Sequence, residues 1–133
     1  MRWSPVAVVP VLLVLGCAPA GRDLPALRVF GNEPFWDVVI QTGDEIVYTR
    51  LGEDPVAFAY EAPRTAAGDS RTWEYGPIET ADGEREIEIR ISELECQDTM
   101  ADAVHPMRAA VTVDGEGLTG CARRLDDPLP ESP

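Results

Sequence analysis

The sequence predicts an all-β protein, a small antiparallel β-barrel or sandwich of about seven or eight strands with at most one short helix. Three observations carry that expectation. Residues 85–92 alternate strictly, with Ile87, Ile89 and Ile91 on one side and Glu86, Glu88 and Arg90 on the other. This period of two marks a half-buried strand. Turn-forming clusters recur between apolar segments, at Thr42-Gly43-Asp44, Gly52-Glu53-Asp54-Pro55, Ala81-Asp82-Gly83 and Asp114-Gly115. No amphipathic run long enough for three helical turns interrupts them.

The elements follow in chain order. Residues 1–16 begin with Arg2 and continue as an apolar run from Pro5 to Leu15, the layout of a secretory signal peptide. Eleven apolar residues are too few to cross a bilayer, which takes about 20. The run ends Val14-Leu15-Gly16-Cys17, which resembles the lipobox of bacterial lipoproteins. That resemblance implies cleavage before Cys17 and attachment of acyl chains such as palmitate to it. Two or more such chains hold a protein stably at a membrane, whereas one does so marginally. The plainer alternative is an ordinary secreted protein cut after Ala18 or Ala20.

Residues 17–25 read as a flexible tether rich in Pro, Ala and Gly, and residues 26–124 as the β domain. Strands are expected at 27–31, 36–40, 45–50 and 56–60. In the second, Trp36, Val38 and Ile40 share a face; in the fourth, Val56, Phe58 and Tyr60 do. Residues 62–71 read as a polar loop, and 96–104 as the one plausible short helix. Segments 109–113 and 117–121 form a hairpin across Asp114-Gly115-Glu116. Residues 125–133 read as a disordered tail.

Composition narrows the chemistry. The chain of 133 residues carries 24 acidic side chains against 11 basic ones, a formal charge of −13, and every basic residue is arginine. So acidic a chain lacks the basic face that nucleic acid requires. Without lysine there is neither a phosphate-binding P-loop lysine nor Schiff-base catalysis.

The three cysteines divide once Cys17 is taken by lipid: Cys96 and Cys121 remain for one disulfide, permitted by an oxidising compartment. A loop of about 25 residues closed in this way stabilises by roughly 3–4 kcal/mol in the chain-entropy model. The alternatives are a thiolate nucleophile or a metal site shared with His105, although one cysteine spaced Cys-x8-His with no second histidine makes a poor zinc set. His105, before Pro106, reads more plainly as a locally bonded imidazole than as a catalyst, because no serine lies in a Gly-x-Ser-x-Gly setting. Glu93, Glu95, Asp98 and Asp102 lack the pattern of a calcium loop, and Asp98 suits a capping role. The stretch Asn32-Glu33-Pro34-Phe35-Trp36 places two large aromatics on opposite sides of the chain. One anchors the core; the other is a candidate to line a binding surface.

Three motifs combine: Gly31-Asn-Glu-Pro-Phe-Trp36, Cys96-Gln-Asp-Thr-Met100 with His105-Pro106, and Leu118-Thr-Gly-Cys-Ala122. Together they resemble a family of small bacterial envelope lipoproteins associated with META-domain (HslJ-type) lipoproteins. The resemblance spans about residues 27–123. It implies the Cys96–Cys121 pair and marks Asn32, Glu33, Pro34, Phe35, Trp36, Asp98, Met100 and His105 as motif residues. Ala101 and His105 depart from its usual serine and aromatic, and it brings no catalytic residue.

The sequence therefore predicts a noncatalytic lipoprotein without metal or cofactor. It would be anchored to the cell envelope facing the periplasm, at the outer membrane rather than the inner. Its role would be binding or envelope maintenance under stress. The rival readings are a lipocalin-like carrier of a small apolar ligand and an inhibitor of a secreted hydrolase. The inhibitor would insert residues 98–107 into that hydrolase, and the binding module would meet an envelope protein.

Overall fold

The structure is a computed structural model that describes residues 24–98 and 100–128. Cys17 and the segment expected to be a signal peptide lie outside the described residues. The chain forms eleven strands: β1 Leu27–Asn32, β2 Phe35–Gln41, β3 Glu45–Arg50, β4 Val56–Ala59, β5 Arg64–Ala66 and β6 Asp69–Glu79. There follow β7 Glu86–Ser92, β8 Cys96–Asp98, β9 Ala103–His105, β10 Met107–Val113 and β11 Glu116–Arg124. No helix occurs among the described residues. Nine strands make one antiparallel sheet in the order β4-β3-β2-β1-β11-β10-β7-β6-β5, curled into a half-barrel; β8 and β9 form a separate pair.

The curl follows from the alternation of side chains. Each strand presents its apolar set to the inside: Leu27 and Val29, Val38 and Ile40, Ile46 and Tyr48, Ile87 to Ile91, Val111 and Val113. Cross-strand register stacks these rows, as in Val29 opposite Val38 and Ile89 opposite Val111. A flat sheet would leave this face in water, whereas curling buries it against itself. Tyr75 and Phe58 are the largest of the fully buried side chains that fill the interior. The two edge strands β4 and β5 are joined by residues 60–63 alone, so the ends of the sheet stay within about 17 Å.

More strands form than the alternation predicts. The expected polar loop at 62–71 is instead a hairpin, β5 and the start of β6, turning at Gly68 with φ 75°. The expected helix at 96–104 is also a hairpin, with Cys96 opposite His105 and Asp98 opposite Ala103. Its turn passes through Asp102 at φ 50°, where Asp tolerates a left-handed conformation. Here pairing competes with helix and wins, because both ends of the segment are tied to the barrel wall. The hairpin expected across Asp114-Gly115-Glu116 forms, but its turn is only Asp114 and Gly115, at φ 49° and 83°, and Glu116 already belongs to β11. The chain remains tied down just beyond β11, where Leu125 N donates to Ala26 O at 2.9 Å.

The pairing of β1 with β11 ends at Phe30 and Cys121, where the two backbones cross in close approach. Two glycines permit this. A Cβ on Gly120 would stand 1.9 Å from Phe30 O, and one on Gly31 would stand 2.4 Å from Trp36 Nε1. The Trp36 indole therefore lies across Gly31, as the anchor reading expects, while Phe35 points outward. Gly120→Ala forces backbone against backbone and should destabilise by about 3 kcal/mol, the upper end of ordinary overpacking. Urea denaturation followed by Trp fluorescence measures this, and wild-type stability in the variant would refute the close approach.

Candidate functional site

The three sequence motifs meet on the outer wall of the barrel. Alternation that sends Leu27 and Val29 inward sends Arg28, Phe30 and Asn32 outward. On β11 the same rule turns Cys121 and Arg123 to the outside, yet both are buried. What covers them is the β8–β9 hairpin, a second layer bonded to the wall by the Cys96–Cys121 disulfide, Cα–Cα 5.5 Å. The disulfide answers the sequence alternatives for Cys96: its sulfur is committed and leaves neither thiolate nor metal ligand.

Beneath the hairpin lies a small polar and aromatic cluster. Asp98 Oδ1 accepts from Asn32 Nδ2 at 2.5 Å, from Met100 N at 3.0 Å and from Ala101 N at 3.3 Å. The capping role expected of Asp98 is thus exercised on a hairpin turn, and the bond to Asn32 joins the first motif to the second. The His105 ring stands edge-on to Phe30, centroids 4.8 Å apart at 79°. Burial pushes its pKa below the ordinary 6.5, the Asp98 carboxylate opposes this, and the Arg123 charge reinforces it. The balance favours the neutral imidazole over the charged one.

Around this cluster the wall carries two connected grooves. One, of about 390 Å³, runs between β1, the hairpin and β11, with Asn32, Gln97, Arg108 and Thr119 among its lining. The other, about 290 Å³, continues past Phe30 and Asn32 to Phe35, Thr49 and Leu51. Phe35, Leu51, Met100 and Val104 are exposed apolar side chains along these margins and on the hairpin. Glu33 and Pro34, joined by a cis peptide bond, form the exposed turn at one end.

Sequence reading thus located Asn32, Trp36, Asp98 and His105 but missed Phe30, Gly120 and Arg123. A signal was available for two of them. Phe30 and Arg123 fall on the outward parity of strands whose inward rows are already apolar, and a bulky outward residue beside a cysteine implies a covering layer. The acidic residues Glu93, Glu95 and Asp102 are exposed and stand outside this cluster. No protein-family model, curated protein or solved structure matches the chain.

Two measurements test the cluster. Intact mass should rise by about 2 Da on reduction, and the Cys96→Ser, Cys121→Ser variant should lose roughly 3 kcal/mol of stability. Equal masses would exclude the bond. Because the folded pKa of His105 lies below its unfolded value, the unfolded chain binds the proton more readily. His105 therefore contributes stability above pH 6.5 that is lost as pH falls from there towards the lowered folded value. The carboxylates Asp114 and Glu116 are also held low, by the Glu86 amide and by Arg50, but lose their contribution in a more acidic range. Denaturation midpoints should drop as pH falls below the ordinary histidine value of 6.5, and His105→Gln should flatten that slope.

Proposed function

We propose that this chain is a noncatalytic envelope lipoprotein, anchored through acylated Cys17 and facing the periplasm, which binds a partner protein on its outer wall. The observation that carries the noncatalytic reading is the use made of the motif residues. Asp98 is spent on three hydrogen bonds, His105 is buried against Phe30, and the nearest sulfurs are oxidised. A general acid or base needs a reachable substrate proton and a nucleophile needs an activating partner; these side chains instead hold a hairpin in place.

A filled interior favours binding on the outside over the carrier reading, since Trp36, Tyr48, Phe58 and Tyr75 occupy the space a lipocalin leaves for ligand. The exposed Phe35 and Leu51 on the barrel rim, with Met100 and Val104 on the hairpin, are anchors of the kind that protein interfaces use. The inhibitor reading fits the same surface, with the disulfide-braced hairpin as the inserted element. The lipobox-like sequence and the motif resemblance to small envelope lipoproteins support the address.

Palmitate should label the protein in cells and fail to label Cys17→Ser; an unlabelled intact protein would sink the anchor. Phe35→Ser with Met100→Ser should reduce capture of a specific envelope protein at least about tenfold while leaving the denaturation midpoint unchanged. Unaltered capture would remove this surface from the binding role.

A further inference from the structure

On the far side of the hairpin, two side chains that evolution rarely buries face one cavity. Arg123 and His105 are each 5 % exposed. The guanidinium Nη1 is buried without a hydrogen-bond partner among the described residues. Its Nη2 donates to Asp127 O, and its Nε reaches Arg124 O only at 3.5 Å. The ion pairs among the described residues involve other arginines. His105 meets the Phe30 ring edge-on and makes no hydrogen bond among the described residues. A buried cation without a counter-charge costs several kcal/mol, which an arriving anion would recover. The cavity is about 130 Å³, lined by Val104, His105, Pro106, Arg123, Asp127 and Pro128.

We propose that Arg123 and His105 form a binding site for a single carboxylate, at the seam between β9 and the chain that follows β11. The lining selects the class of ligand. Val104, Pro106 and Pro128 suit the methylene stem of a short-chain acid or a glutamate side chain. Asp127 at the lip repels a doubly charged phosphate or sulfate more than a monoanion. The planar guanidinium matches a carboxylate by geometry, and the imidazole N–H supplies a second donor. Asp127 and Pro128 lie over the guanidinium, held by Asp127 N to Arg124 O at 3.3 Å and by the Arg123–Asp127 bond. The carboxylate is borne by a free acid or by a partner's side chain. This site lies outside the two grooves, shares only Val104 with the surface assigned to partner binding, and does not require them.

His105 is the sole histidine of the chain, so its imidazole NMR signals report on the site without assignment ambiguity. The full-length protein is titrated with sodium acetate, against sodium chloride at equal ionic strength. A saturable shift with acetate but not chloride, lost in Arg123→Met, establishes a site open to external carboxylate. No saturable response in wild type overturns the proposal. Should Arg123→Met not fold, Arg123→Lys keeps the charge but loses the planar fork and should weaken acetate binding about tenfold. Undiminished binding in Arg123→Lys would also overturn the assignment to the guanidinium.

Discussion

The constraint on which this structure depends is the position of β11 between β1 and β10. One side of the half-barrel is the meander β1–β4, built from successive antiparallel neighbours; the other consists of β5, β6, β7 and β10. Only β11 pairs with both. Its inward residues Leu118 and Ala122 complete the apolar row between Val29 and Val111, and without them each half would expose its buried face. The same nine residues carry Gly120, which permits the close crossing of Phe30, and Cys121, which holds the hairpin.

That dual use explains why the motifs cluster where they do. A strand in the middle of a curved sheet has an inner face filled by core and an outer face that normally meets water. Here the outer face is covered by the β8–β9 pair, too small to form a core of its own. The disulfide supplies what that pair lacks in apolar area, and the Asn32–Asp98 bond fixes its distal end. Polar residues in such a thin layer must be satisfied individually, since few water molecules reach them. Asp98 meets that requirement through three bonds to its Oδ1, whereas Arg123 Nη1 has none among the described residues, and the contrast between the two distinguishes a structural group from a receptive one. Charge reinforces the contrast, because most other arginines on this acidic chain sit opposite carboxylates at the surface, where pairing contributes little.

How much was legible in the sequence follows from how far each signal is local. The alternation at Ile87, Ile89 and Ile91 is a property of seven consecutive residues, and β7 appears as expected. Trp36 and Phe35 divide between inside and outside for the same reason. The strand β6 was not legible: Gly76 and Pro77 interrupt its pattern, and the register with β7 shifts between Tyr75 and Ile78. The hairpin at β8–β9 was misread as helical because its identity comes from Cys121 and Asn32, partners distant in the chain. Of the site, Cys96 and Asp98 were recognised by residue type, whereas Phe30 and Arg123 acquire meaning only when the second layer is placed over them.

The place of β11 in the chain has a temporal consequence. A polypeptide emerges from the ribosome, or from a membrane channel, with its N-terminal residues first. The β1–β4 meander and the β5–β10 unit can each begin pairing early, but the gap between them stays open until residues 116–124 arrive. Cys96 likewise has no partner until that moment, so its thiol waits while the preceding strands assemble. Neither the apolar interior nor the crosslink can therefore be completed before residues 116–124 arrive.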